Sequence, residues 1–469
     1  LRALRGLSPE LDMSSPTETL AAYVVDSTFD AIPRDVQHEA TRALVNYLGC
    51  ALGGSIEPAL DVAIATLAPF SGERNACVLG RAERFDALNA ALLNGIGSHV
   101  HEYDDTLPKN YIHPSVPVGS ALFAYASANP VAGRDFVHAF ILGFEVESRI
   151  GNAVYPAHYQ AGWHITSTTG VFGAAAAVGK LLGLTTKQMV WAFGLAATQA
   201  AGIREMFGSM AKSFQPGRAA QNGYTAALFG RADFTAGERA LEGPRGFAAV
   251  TAAKYDLDKI GARLGVDFEL RDNAYKPYAC GLVVHPTIDG CSQLLRERHP
   301  AADDIAAVRV RAAPLVLDLC NKKDLRRALE SKYSIYHAAA IGLIRGKGGL
   351  QEFTDDAIRD PKLAHVRSVT TAVADSSIGE DQAHIEVTLR DGRKLVKFVE
   401  QSLGNVHRPL SDDQLSEKFV DQAVLALPRA QVDEVLEQCW RIANLDDVGR
   451  LARATLPSRA LTTAARTDD

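Results

Sequence analysis

From Pro16 to about residue 265 the apolar positions recur every three or four residues, the period of a helix with one buried face. PRDVQHEATRALVNYLGCALGG keeps this spacing and closes on Gly53-Gly54, a sensible helix stop. DALNAALLNGIGSHV, RDFVHAFILGFEVESRIG and TTKQMVWAFGLAATQAAG repeat the style, with faces built from Ala, Gly and Leu that let helices approach closely. Alternating runs rich in Val, Ile and Thr, which would mark strands, are nearly missing from this part.

The texture changes after about residue 270. AAVRVRAAP (306–314) alternates as a strand does, SVTTAVADSS follows, and AHIEVTLRDGRKLVKFVEQ places Asp391-Gly392 between two alternating runs. Asp-Gly in that setting predicts a hairpin. Helices are predicted at 282–297, 332–345 and 361–368. From residue 411 SDDQLSEKFVDQAVLAL and AQVDEVLEQCWRIANL are amphipathic helices again. The fold class predicted is therefore mainly α. A large all-helical domain draws on both ends of the chain (16–268 and 406–455), and a smaller α+β domain (269–405) is inserted. Residues 1–13 read as a leader-like segment ahead of the fold.

A chain of 469 residues exceeds what one hydrophobic core usually supports, which agrees with two domains. With 49 basic against 55 acidic side chains and a net charge of −6, no stripe for nucleic acid is present. GVFGAAAAVGKLLGL is too short to span a bilayer and carries Lys180, so no membrane partner is expected. Six cysteines without C-x-x-C spacing are expected as reduced thiols, and the expected compartment is the cytoplasm.

Candidate chemistry concentrates in SHVHEYDDTLPKNYIHPS, Ser98 to Ser115. His99 and His101 invite a metal reading. They end a helical pattern, however, where residues i and i+2 point apart, whereas a metal-binding His-x-His sits on a strand. A loop that gathers Asp104, Asp105, Thr106 and His113 positions donors and acceptors around a small polar ligand equally well. GWHITSTTG places His164 before a helix whose first turn is Ser and Thr, and whose N–H groups and positive dipole end suit a carboxylate. GSMAKSFQPGRAAQNG is expected to place Lys212 and Arg218 between helices, among small residues. NAYKPYACGLVVHPT brings Lys276, Tyr278, Cys280 and His285 to the domain junction, and SKYSIYHAAAIGL adds Tyr333, Tyr336 and His337. Cys280 reads more readily as a small buried apolar residue than as a nucleophile.

The D-D-T…H-P-S loop, the G-W-H, the lysine before GRAAQNG and the K-x-Y…H stretch, taken in this order, resemble the MmgE/PrpD family over residues 16 to 450. Members of that family include 2-methylcitrate dehydratase, cis-aconitate decarboxylase and iminodisuccinate epimerase. The resemblance implies the split helical architecture, a small polycarboxylate substrate, no cofactor, no metal and a homodimer. It implies catalytic roles for His113, His164, Lys212, His285 and Tyr336, and substrate contacts for Glu102, Asp104, Thr106 and Lys276. Glu102 stands where some relatives carry aspartate. Among the family's reactions, the chain looks closest to epimerisation of iminodisuccinate. The alternatives are a 2-methylcitrate-type dehydratase, a cis-aconitate-type decarboxylase and, from another class, a metal-dependent amidohydrolase.

Overall fold

The computed structural model describes residues 15–458, so the leader-like segment 1–13 lies outside the described residues. Long helices dominate the first half: Arg34–Gly54, Ala87–His99, Ser115–Ala128, Gly133–Val154, Ile165–Leu181 and Ala211–Arg231. Gly95 sits where the pattern predicted close approach, whereas Gly217 belongs to the segment expected between helices, which the structure places mostly inside Ala211–Arg231. A Cβ added to Gly95 would lie 2.3 Å from the Cα of Gly217, so helices Ala87–His99 and Ala211–Arg231 cross with backbones nearly touching. The C-terminal helix Asp412–Ala423 closes the same bundle from the other end of the chain. Its Phe419 packs on Gly49 of Arg34–Gly54 (3.1 Å from the Phe419 Cα to an added Cβ), and both helices feed one apolar core. This is why the helical region needs both ends of the sequence.

The α+β part carries a four-stranded sheet in the order Thr370–Ala374, Ile305–Ala312, Ala383–Leu389, Lys394–Val399. The first pair is parallel and the others antiparallel. The Asp391-Gly392 hairpin forms as predicted, with Gly392 at φ +87°. Alternate residues Ala383, Ile385, Val387 and Leu389 are buried on one face, where helices His285–Arg298, Ile335–Arg345 and Pro361–Val369 cover them. That one-sided burial is the period-2 signal read from the sequence.

Two features shape the functional region. A two-residue ladder pairs Asp105 with Tyr275 and Thr106 with Ala274, tying the loop after Ala87–His99 to the segment that carries Lys276. The helix expected from 332 begins at Ile335, because Ser334 serves as its N-cap and its side chain accepts from the His337 N–H. Among the described residues no single helix is long and apolar enough to cross a membrane.

Candidate active site

Loop 100–114 turns sharply at Glu102, whose φ of +56° is left-handed. That conformation costs a non-glycine residue about 1–2 kcal/mol and persists only where surrounding contacts hold it. Here three buried lysines from distant parts of the chain hold three consecutive carbonyls. Lys332 Nζ donates to His101 O (2.6 Å), Lys276 Nζ to Glu102 O (3.3 Å) and Lys418 Nζ to Tyr103 O (2.6 Å). The turn aims the Glu102 carboxylate at Lys212, with which it forms an ion pair, and at Tyr333, whose hydroxyl donates to Oε1 at 2.8 Å.

This cluster borders a cavity of about 700 Å³ between the helical and α+β parts, which Glu102, His113, His164, Lys212, Lys276 and Tyr333 all line. A second cavity of about 520 Å³ lies beyond it, and Glu102, Lys212 and Tyr333 line that one too. The ion-pair cluster therefore forms a shared wall.

The two imidazoles can be assigned tautomers. His113 Nδ1 lies 2.8 Å from the carbonyl of Asp105, an acceptor only, and 3.1 Å from Asp104 Oδ2. The proton is therefore on Nδ1, leaving the Nε2 lone pair free. His164 Nδ1 lies 3.3 Å from Gln215 Oε1, and the amide is oriented by its own N–H bond to the Ile203 carbonyl. His164 likewise keeps an Nε2 lone pair. Burial drives His113 down to about 4 even with Asp104 beside it. Burial, then repulsion from Lys212, His99 and His113, holds His164 well below its ordinary value. Both rings are neutral near pH 7 and available as bases.

The other groups carry the complementary states. Burial alone would raise the Glu102 carboxyl, but Lys212, His99 and Lys276 outweigh it and keep Glu102 ionised. Burial pulls Lys212 below the usual ammonium range in spite of Glu102. Burial and the Glu102 charge push the Tyr333 phenol well up, so it remains a donor. The cavity thus combines neutral bases, a phenolic donor and ammonium groups suited to carboxylates or a developing enolate.

Several residues singled out from sequence lie elsewhere. Tyr336 does not line the cavity; its hydroxyl donates to Asn321 (2.7 Å) on a partly exposed side. The Ser334 cap is the reason: Tyr333 falls just ahead of the helix and faces the cavity, while Tyr336 sits in the first turn and faces away. His285 is fully buried behind the wall, edge-on to Tyr278 at 5.2 Å. Thr106 is buried within the two-residue ladder. Asp104 is also behind the wall, where it accepts from His99 Nδ1 (2.8 Å) and His113 and lies 4.0 Å from Lys276 Nζ. Its place is to orient His113 rather than to touch a ligand. Arg204, Lys322 and Tyr159 line the cavity and were not singled out from sequence. No spacing rule marks them, since Tyr159 comes from the short helix Ala157–Gln160, Arg204 from the 3-10 turn Arg204–Met206 and Lys322 from a distant part of the chain.

His99, Asp104 and His113 bring potential ligand atoms within 4.8 Å of one another. Their contacts are hydrogen bonds, with both Nδ1 protons committed, and an ion seated there would face the Lys276 ammonium. Helix Ala87–His99 ends at the first histidine, and His101, in the turn beyond it, points away to the Gly53 carbonyl (3.1 Å), so the His-x-His pair diverges across the helix end. Cys280 is buried and its thiol is pushed up to about 12 by that burial, which leaves it protonated.

Comparison with known proteins adds an independent line. The MmgE/PrpD N-terminal domain model matches residues 18–259 and the C-terminal domain model matches residues 278–442. A cis-aconitate decarboxylase from Aspergillus terreus is 25% identical over 93% of this chain and 95% of that protein. The cis-aconitate decarboxylase of Homo sapiens is 24% identical over 93% of each. A mitochondrial 2-methylcitrate dehydratase from Yarrowia lipolytica is 28% identical over 32% of each.

Proposed function

The chain belongs to the MmgE/PrpD family, and from that premise we propose that it is a cofactor-independent lyase of small polycarboxylates, with decarboxylation of a cis-aconitate-type substrate as its leading reaction. One observation carries the reading. Two buried, neutral imidazoles share a single cavity with a phenolic donor and the Lys212 and Lys276 ammonium groups. Full-length similarity to cis-aconitate decarboxylases supports decarboxylation over the other family reactions. In that reaction the C–C bond to one carboxylate breaks and its electron pair passes to carbon, conjugated with a neighbouring carboxylate. Lys212 and Lys276 stabilise that charge, and a donor such as Tyr333 delivers one proton to carbon. Dehydration would use the same groups differently: an imidazole Nε2 takes the proton α to a carboxylate while an acid protonates the leaving hydroxyl.

Epimerisation of iminodisuccinate is the second reading. It is favoured by the presence of two basic imidazoles, His113 and His164, which line the same cavity and whose rings lie 5.0 and 5.9 Å from the ring of His99. One experiment separates the three: incubation of EDTA-treated protein in deuterium oxide with cis-aconitate, 2-methylcitrate and iminodisuccinate, followed by NMR. Carbon dioxide release with one deuteron incorporated supports the decarboxylase. Loss of water establishes the dehydratase, and inversion with exchange the epimerase. No turnover of any of the three, or activity that returns only with added metal, would defeat the proposal. Six buried free thiols support placement in a reducing compartment.

A further inference from the structure

The inner end of the cavity is rich in groups for one carboxylate and the reacting carbon. We propose that Arg204, at the outer part, is the specificity-determining residue that binds a second carboxylate remote from the reacting carbon. This rests on the polycarboxylate reading given above.

The placement follows from an isolated bridge. Trp163 pairs antiparallel with Ile203, the His164 N–H donates to Gly202 O (3.0 Å), and the Arg204 N–H donates to Gly162 O (2.8 Å). Arg204 opens the 3-10 turn Arg204–Met206 and His164 caps helix Ile165–Leu181, so the two bonds that flank the bridge bring both residues to the lining of the same cavity. The position opposite Arg204 is Gly162, where an added Cβ would meet nothing within 4 Å. That opening leaves room for a ligand group beside the guanidinium.

The hydrogen bonding of Arg204 is incomplete in a way that points to a ligand. One donor, Nη1, reaches the Tyr159 carbonyl (3.0 Å), and the guanidinium lies 4.0 Å above the Tyr159 ring. Its Nε–H is shielded from water and has no partner, and among the described residues Arg204 forms no ion pair. Arg149, buried in the helical core, shows the usual outcome: Glu145 and the carbonyls of Ile260, Ala262 and Asp267 all accept from it. An unpaired buried donor is costly. A carboxylate supplies both the missing acceptor and the missing charge, in the bidentate geometry that guanidinium favours.

The test is calorimetric binding of tricarballylate and methylsuccinate, which differ by one terminal carboxylate, to the full chain and to Arg204→Gln and Arg204→Lys. The native protein should bind tricarballylate more tightly. Arg204→Gln should weaken tricarballylate roughly tenfold to hundredfold and methylsuccinate by less than about twofold, erasing the preference, while Arg204→Lys restores part of it. Equal weakening of both ligands would assign Arg204 to holding Tyr159 and overturn the inference, as would unchanged binding of both. Failure of the native protein to bind either ligand would overturn the polycarboxylate reading itself, and this inference with it.

Discussion

The sharpest contrast between chain pattern and tertiary structure lies in two tyrosines three residues apart, and it gives a paired test. Tyr333 donates to Glu102 Oε1 at 2.8 Å inside the cavity, whereas Tyr336 donates to Asn321 Oδ1 at 2.7 Å outside it. Replacing either by Phe removes a single oxygen and little volume. A hydrogen bond to a charged acceptor is worth about 1.5–3 kcal/mol, a factor of about ten to a hundredfold if it is felt in the transition state. A phenol that also delivers the proton contributes about 10²–10⁴. Tyr333→Phe should therefore lower kcat about a hundredfold or more. Glu102 keeps its Lys212 partner in this variant, so the fold should survive with a loss of about 1–2 kcal/mol. Tyr336→Phe should cost about 1 kcal/mol of stability and leave kcat within about twofold. Initial rates by NMR on the substrate that turns over, with urea unfolding of both variants, supply the comparison. If Tyr336→Phe loses as much rate as Tyr333→Phe, the cap-based placement of these side chains is wrong. If Tyr333→Phe keeps half its activity, the phenol has no chemical role.

Three further outcomes follow from the same geometry. Lys418 touches neither cavity, but it holds Tyr103 O (2.6 Å) and Asn46 Oδ1 (2.7 Å); Lys418→Met should cost about 2–4 kcal/mol in urea unfolding and lower kcat about tenfold through the loosened Glu102 turn, and native kcat in a destabilised variant would show that the turn does not need it. Burial takes His113, His138, His158 and His337 down to about 4 and His101 and His285 to about 3; the unfolded chain protonates first below its usual value of about 6.5, so the stability these histidines contribute above 6.5 falls toward pH 4, offset in part by Asp105 and Glu145, which burial raises to about 7, and a urea midpoint that does not fall between pH 7 and pH 5 would contradict this. Phe214, Leu228 and Phe229 are exposed along one stripe of helix Ala211–Arg231, with Phe234 just past its end; we expect this face to meet a second copy, and light scattering that reports a monomer at micromolar concentration would refute it.

Hydrophobic period alone determined the fold class. A spacing of three to four along residues 34–54 and 133–154, a spacing of two along 383–389 and Asp391-Gly392 between two alternating runs each have one low-energy solution, because burial of one face is a local property of the pattern. The same reasoning found the loop that carries Glu102 and His113 beyond a helix end, although the turn at His101, rather than the helix itself, is what separates that residue from His99. Placement that depends on a cap or on contacts across the chain was not legible in the sequence. The helix starts at Ile335 behind its Ser334 cap, and the folded chain sets Tyr333 rather than Tyr336 at the cavity. Only the folded chain brings Lys276, Lys332 and Lys418 onto three consecutive carbonyls, makes Asp104 a support for His113, and sets Arg204 and His164 on one cavity through the isolated Trp163–Ile203 bridge. The physical reason is range. Periodicity is set by neighbours within a turn or a strand, whereas a buried charge finds its partner among residues up to 372 positions away, and no local pattern records that pairing.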